Sequence, residues 1–349
     1  MTVEVLDPFD AAADPALPTI ALALDPEQAA RQLRRFPRLT GHGGVVRVQA
    51  IRVTRHKRGR RCVIEYDVDV ERADAPAERA TLIGKVRVAR YGNAGHRLLS
   101  AFWEAGFDSD CSDGISVPEP IGAVAKFRMW LQRKVPGIRA TEVLAGPDGV
   151  HRARQIAEAA RKIHRARVPT SEHHAMADEL RILSECFGRM ASAEPRYAGR
   201  LRSLLAGCER LASETPRSPS TGIHRDFYAD QVIVDGARLY LIDFDLYCEG
   251  EPALDIGNFI GHITEQSLRE LGRPDALADR ERALENRFVE LTGESLRPAV
   301  RTYATLTLAR HVYLSTTFPE RRPFTLALLE LCEERLAAVH LPVRSWQCA

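Results

Sequence analysis

Between Val45 and Val88 the chain alternates apolar and polar residues with a period of two, most clearly where Cys62, Ile64, Tyr66, Val68 and Val70 are separated by Glu65, Asp67 and Asp69. That period puts the two sets on opposite faces of a strand, so the region reads as strands joined by turns. A basic turn, His56-Lys57-Arg58-Gly59-Arg60-Arg61, links the first two, and a polar loop from Ala73 to Arg79 precedes a third, from Leu82 to Val88. A helix carrying Leu98, Leu99, Phe102 and Trp103 follows, then Pro118 and Pro120 introduce two strands around Ile121 to Ala123 and Met129 to Arg133.

Beyond Pro136-Gly137 the period becomes helical. Ala153, Ile156, Ala157, Ala160 and Ile163 share one face, as do Leu180, Leu183, Phe187 and Met190, and then Leu201, Leu204, Leu205, Cys208 and Leu211. A break from Pro216 to Ser220 leads into a short β region, after which the pattern is helical almost to the end. Upstream, Asp25-Pro26-Glu27-Gln28 has the form of a helix start, with Asp25 capping, Pro26 first and Gln28 able to bond back. That helix ends near Phe36-Pro37, and the first eighteen residues, rich in Asp, Pro and Ala, read as a loosely held arm. The expectation is an α+β, two-lobed fold: residues 1–40 an arm and helix, 41–134 a mostly antiparallel β lobe, 135–349 a helical lobe with one polar β insertion. This order suits a ligand cleft between lobes.

Composition narrows the partners. The 349 residues are 45% hydrophobic and 28% charged, ordinary for a soluble globular protein and enough for two domains. Forty-nine basic residues against 47 acidic ones leave +2, too balanced for a general nucleic-acid or membrane-surface binder. Seven scattered cysteines (Cys62, Cys111, Cys186, Cys208, Cys248, Cys332, Cys348), never spaced C-x-x-C, argue against a disulfide framework or a zinc site and fit reduced thiols in a cytoplasmic protein. The acidic, proline-rich start is unlike a secretory signal, and no run approaches the roughly 18 apolar residues of a membrane span.

The chemistry concentrates between His224 and Asp255. In His224-Arg225-Asp226-Phe227-Tyr228-Ala229-Asp230-Gln231 a polar loop runs into the apolar strand Val232-Ile233-Val234. An Asp235-Gly236 turn reverses the chain into Leu239-Tyr240-Leu241-Ile242, which ends in Asp243-Phe244-Asp245. A hairpin would bring Asp226, Gln231, Asp243 and Asp245 to one end of a ribbon, where carboxylates repel unless a divalent cation screens them. Any one of these acids alone reads as a solvated turn residue.

The joint spacing resembles the aminoglycoside phosphotransferase and choline kinase-like family of the protein-kinase-like superfamily. Its pattern is H-x-D-x-x-x-x-N, a hairpin, I-D-[FW]-[EDG], then a D-I-G-N element; this chain reads HRDFYADQ, LIDFD and EPALDIGNF. The resemblance implies ATP-dependent transfer of the γ-phosphate to a hydroxyl of a small molecule, with magnesium. Asp226 takes the place of the catalytic aspartate and Asp243 that of the magnesium-holding aspartate. Gln231 stands where the family has a metal-ligating asparagine, one methylene longer, Asp245 is an auxiliary metal ligand, and Asp255 braces the catalytic loop. Phosphoryl transfer asks mainly for alignment and charge neutralisation, which these groups supply.

On the nucleotide side, Lys85 in Leu82-Ile83-Gly84-Lys85-Val86-Arg87-Val88 resembles the strand lysine that reaches the α- and β-phosphates; taken alone it is a solvated strand residue. The helix after Tyr91-Gly92 offers Glu104 as its acidic partner. No G-x-G-x-x-G precedes Lys85, so the basic turn, with its amides and Arg60 or Arg61, is the candidate cover for the phosphates, and equally a solvated turn. Gln132 to Lys134 lies where the family's inter-lobe hinge meets adenine. For the acceptor, an aminoglycoside or other antibiotic, an amino alcohol and a sugar stay open: Asp230, Asp245, Glu249, Glu251 and Glu265 would suit a cation, while Tyr228 or Tyr247 would contact a sugar or a quaternary amine. Protein substrates fit poorly, since no A-P-E element follows Asp243. The alternative is a catalytically silent, nucleotide-binding pseudokinase, motivated by Gln231 and the missing glycine flap.

Overall fold

The computed structural model describes residues 3–41, 43–72, 75–88 and 94–339 of an α+β protein. The chain divides into two compact units: Met1–Gly137 with Asp235–Asp245, and Ile138–Val234 with Leu246–Ala349.

The first unit is built on a six-stranded sheet in the spatial order Glu4–Leu6, Val45–Lys57, Arg61–Arg72, Ala75–Arg87, Met129–Arg133, Pro120–Val124. The alternation in the sequence is its cause: Cys62, Ile64, Tyr66, Val68 and Val70 are buried, while the residues between them are not. The strand Ala75–Arg87 begins well before Leu82, so most of the expected polar loop is strand. Its charges have partners: Arg79 pairs with Asp69 on the neighbouring strand (3.2 Å), and Glu78 with Arg72 (2.9 Å).

The N-terminal segment also departs from expectation. Glu4–Leu6 pairs in parallel with Ala50 to Arg52, and Ala11, Leu17 and Ile20 are buried in the core of the sheet. Three apolar residues spaced through a proline-rich stretch hold it down. The helix Pro26–Leu33 is capped as expected, Asp25 Oδ1 accepting from the amides of Glu27 (2.9 Å) and Gln28 (3.0 Å). The side chain of Gln28 accepts from Lys126 Nζ (2.7 Å).

The second unit is mainly helical. Gly149–Arg165, Met176–Ala193 and Ala198–Glu214 bury the faces that the periodicity marked, and Ala253–Leu271, Ala278–Thr292, Arg297–Thr317 and Thr325–Val339 follow. Ala253–Leu271 crosses closely over Arg297–Thr317. A Cβ added at Gly257 would lie 2.4 Å from Tyr303 Cβ, and one at Gly261 would lie 2.7 Å from Thr307 Cγ2, so these two glycines admit the neighbouring helix. A small sheet pairs Thr221–Ile223 with Cys248–Gly250 and leads directly into the loop of Asp226.

Among the described residues no helix is long and apolar enough to cross a membrane, and the six cysteines in them are unpaired thiols. Cys348 and the Tyr91-Gly92 stretch lie outside the described residues.

Candidate active site

In the first unit Lys85 sits mid-strand opposite Trp130, its Nζ 5.0 Å from the centre of the indole ring and 3.7 Å from Asp243 Oδ1. Arg87, on the same face of the strand, lies 3.6 Å from Asp243 Oδ1 and pairs with Asp245. Burial pulls the Lys85 ammonium below the ordinary lysine range, Arg87 adds to that, and Asp243 opposes it. Gln132 is buried on the adjoining strand and lines, with Lys85, Trp130, Leu98, Asp243 and Asp245, a narrow recess. Lys85, Gln132, Asp243 and Asp245 are therefore brought together.

Two other residues named for the nucleotide lie elsewhere. Glu104 is exposed in the turn Trp103–Phe107 that ends the helix, and the acidic partner that Lys85 has is Asp243. Arg60 is exposed at the tip of the basic turn. The turn is fastened from the N-terminal segment: buried Asp14 Oδ2 accepts from the Gly59 amide (2.8 Å) and meets His56 Nε2 (2.9 Å). One backbone amide expected to be available for phosphate is thus already engaged.

In the second unit the loop of Asp226 is pinned on both sides. Asp255 Oδ2 accepts from the His224 amide (2.9 Å) and Oδ1 from the Arg225 amide (2.7 Å), while His164 Nε2 reaches the same carboxylate at 2.9 Å. Past Asp226, the Phe227 carbonyl accepts from Asn258 Nδ2 (2.9 Å). Asn258 Oδ1 in turn accepts from Arg310 (3.0 Å) and Thr307 (3.3 Å). Asp255 and Asn258, three residues apart, share a helix face, so one turn of helix grips the loop at two points. Phe227, Ile256 and Phe259 are fully buried around this grip, whereas Asp226 is half-buried and Gln231 buried.

Sequence reasoning missed Asn258 and His164. The i, i+3 spacing within Asp255-Ile256-Gly257-Asn258 carried a signal for Asn258; His164 carried none. Tyr247, named as an acceptor contact, is buried and donates its hydroxyl to the Val168 carbonyl (2.9 Å).

Backbone strain marks the same segments. Five described non-glycine residues have positive φ, and two of them are Arg225 (68°), beside Asp226, and Asp243 (63°). Such residues persist where the surroundings over-determine them, and they gather at functional sites.

Comparisons with known proteins bear on the family and the fold. The family model described as the phosphotransferase enzyme family (APH) matches residues 85–298. A comparison with curated proteins gives no match. Among solved structures, a choline/ethanolamine kinase family protein from Mesorhizobium loti is 14% identical with a TM-score of 0.56, over 90% of this chain and 99% of that one. A thermostable mutant of aminoglycoside phosphotransferase APH(4)-Ia in its apo form is 14% identical with a TM-score of 0.57, over 85% and 97%. A glucosamine kinase in complex with glucosamine, ADP and inorganic phosphate is 15% identical with a TM-score of 0.58, over 90% and 87%. At such identities the likeness is one of fold. On the family match, with that fold, the chain belongs to the phosphotransferase enzyme family and has a protein-kinase-like architecture.

Proposed function

We propose that this protein transfers the γ-phosphate of ATP to a hydroxyl of a small molecule, with Asp226 as the base. The observation that carries this reading is the double grip on the loop: Asp255 and Asn258 fix the backbone on both sides of Asp226 while its own carboxylate stays half-buried at the surface of the unit. A base held in this way meets an incoming hydroxyl without reorganising. As the acceptor oxygen bonds to the γ-phosphorus and the bond to the β-bridging oxygen breaks, Asp226 receives the hydroxyl proton and ADP leaves.

Lys85 is the candidate for the α- and β-phosphates, with Arg60 at the turn and Gln132 beside the recess as further nucleotide contacts. The ADP of the glucosamine kinase neighbour supports ATP as donor. Asp243, Asp245 and Gln231 offer hard oxygen donors of the type magnesium takes. Magnesium takes few protein ligands and keeps water and phosphate oxygens, so a small set of such donors suits its chemistry. Magnesium, when bound, would neutralise charge on the phosphates.

The test is magnesium-dependent ADP release against a panel of hydroxylated acceptors. Asp226→Asn is expected to lower turnover by about a hundred- to ten-thousand-fold with nucleotide binding retained. Nucleotide binding without transfer to any acceptor, unaltered by Asp226→Asn, would establish a silent nucleotide-binding role instead; the buried Gln231 in place of asparagine is the feature that favours that second reading.

A further inference from the structure

Tyr228, two residues past Asp226, stacks flat on His262 of the Ala253–Leu271 helix, with ring centres 4.4 Å apart and planes at 17°. His262 meets His311 of the Arg297–Thr317 helix edge to face, at 4.5 Å and 88°. Three rings thus run from the catalytic loop into the core of the second unit. His262 is also an exception on its own helix: from Ala253 to Leu268 every other residue is buried, and His262 alone reaches the surface. Along that length His262 alone is partly exposed, beside the loop of the base, and presents a polar group there.

Behind it, His311 is 1% exposed, and neither of its ring nitrogens has a hydrogen-bond partner among the described residues. A neutral imidazole always carries one N–H and one acceptor nitrogen, so His311 is a buried polar ring in want of a polar neighbour. The edge-to-face contact gives it only the weak partnership of a ring, and that contact orients His262. Both imidazoles are held neutral, His262 well below the usual histidine range and His311 down to about 3, first by burial and then by the positive charges around them. The charged groups acting on the pair are Arg310, Arg321 and Arg269. Arg310 pairs with Glu179 at 3.2 Å, whereas Arg269 and Arg321 share one carboxylate, Glu265, at 3.0 and 3.8 Å, and positive charge is left in excess behind the rings.

The acids that would recommend a cationic acceptor are engaged as well. Asp230 accepts from Thr141 Oγ1 (2.6 Å), Glu251 from Ser218 Oγ (3.2 Å), and Glu249 meets His173 (3.1 Å). Within the second unit this leaves neutral hydrogen-bonding rings, with no spare carboxylate among those acids, at the surface next to Tyr228.

We propose that His262 binds the acceptor through its imidazole, with His311 as its positioning residue, and that the acceptor is an uncharged hydroxylated compound and not a polyammonium one. This rests on Asp226 as the base. The imidazole hydrogen-bonds an acceptor hydroxyl other than the one phosphorylated, and the guanidinium groups behind it disfavour ammonium.

The experiment uses the full chain with MgATP and measures ADP release with glucose, ribitol and glycerol as uncharged probes and a 2-deoxystreptamine aminoglycoside as the cationic one. Turnover of an uncharged probe in preference to the aminoglycoside is expected; preference for the aminoglycoside, or no turnover of any uncharged probe, overturns the acceptor class. His262→Phe keeps the stack on Tyr228 and removes the hydrogen bond. It is expected to raise the acceptor KM about tenfold or more, with KM for ATP unchanged. His262→Gln, which restores a donor and an acceptor, is expected to recover part of that loss. An unchanged acceptor KM in His262→Phe, in protein whose thermal midpoint matches the parent, overturns the role of His262. Asp226→Asn run alongside separates the two ideas: loss of turnover there with no His262 effect sinks only the present proposal, whereas intact turnover in Asp226→Asn sinks the assignment of the base.

Discussion

Asp243 and Asp255 belong to one sequence motif, yet their settings are opposite. The Asp255 side chain has no exposed surface and accepts two backbone amides and an imidazole, all within 2.9 Å. The Asp243 side chain is 23% exposed, with Lys85 and Arg87 at 3.7 and 3.6 Å from its Oδ1. A saturated, buried carboxylate is scaffold: its geometry is fixed and its bonds cannot be exchanged without loss. Asp243, partly exposed at the wall of a recess beside two cations, is the carboxylate proposed above to meet a phosphate-bound cation. The contrast between the aspartate that braces and the one proposed to engage a cation is therefore read from burial.

The largest effect should come from breaking the brace. Asp255→Ala strands two amides and His164 in the core and is expected to cost about 3–5 kcal/mol in denaturant unfolding, with activity lost in step. A stable, merely inactive Asp255→Ala protein would erase the distinction.

Acid should weaken the second unit next. His311 has a folded value of about 3 against an ordinary 6.5, so between those values the unfolded chain binds more protons. Stability then falls as pH drops below about 6.5, by about 2 kcal/mol at pH 5 from this residue. His311→Gln should flatten that part of the pH–stability curve, followed by thermal melts from pH 7.5 to 5.

Asn258→Ala removes one side of the grip and is expected to cost about 1–2 kcal/mol. Turnover should fall by more than the stability loss explains, because the loop carrying Asp226 loses one anchor; equal activity per folded molecule would mean that Asp255 alone sets the loop.

Lys85→Met should move stability least. Burial already disfavours the ammonium, so its removal is expected to shift the denaturant midpoint by less than about 1 kcal/mol while abolishing ATP-dependent turnover. A large loss of stability would make Lys85 scaffold, like Asp255.

Much of this molecule was legible before its structure. The alternation from Cys62 to Val70 gave the buried face of a strand, and the Ala153 to Ile163 pattern gave the buried face of a helix, because both depend on a period that the backbone imposes locally. The Asp25 cap was readable for the same reason. The segment from Ala73 to Arg79 was misread as loop because its polar residues are satisfied across strands, by Asp69 and Arg72, which a linear pattern does not display. The N-terminal arm was misread because three apolar residues in a proline-rich stretch look loose until a sheet core receives them.

What the sequence determined by itself is the set of elements and the chemical inventory: which residues alternate, where the helices begin, and that His224 to Asp255 carries acids at spacings that suit phosphoryl transfer. Only the tertiary structure decided which of those acids are used up. His164 reaches Asp255 across 91 residues, Asp14 reaches Gly59 across 45, and Arg310 reaches Asn258 across 52. A side chain's local period tells which face it occupies. Its hydrogen-bonding state depends on which distant groups share that face, and that is fixed only when the elements pack.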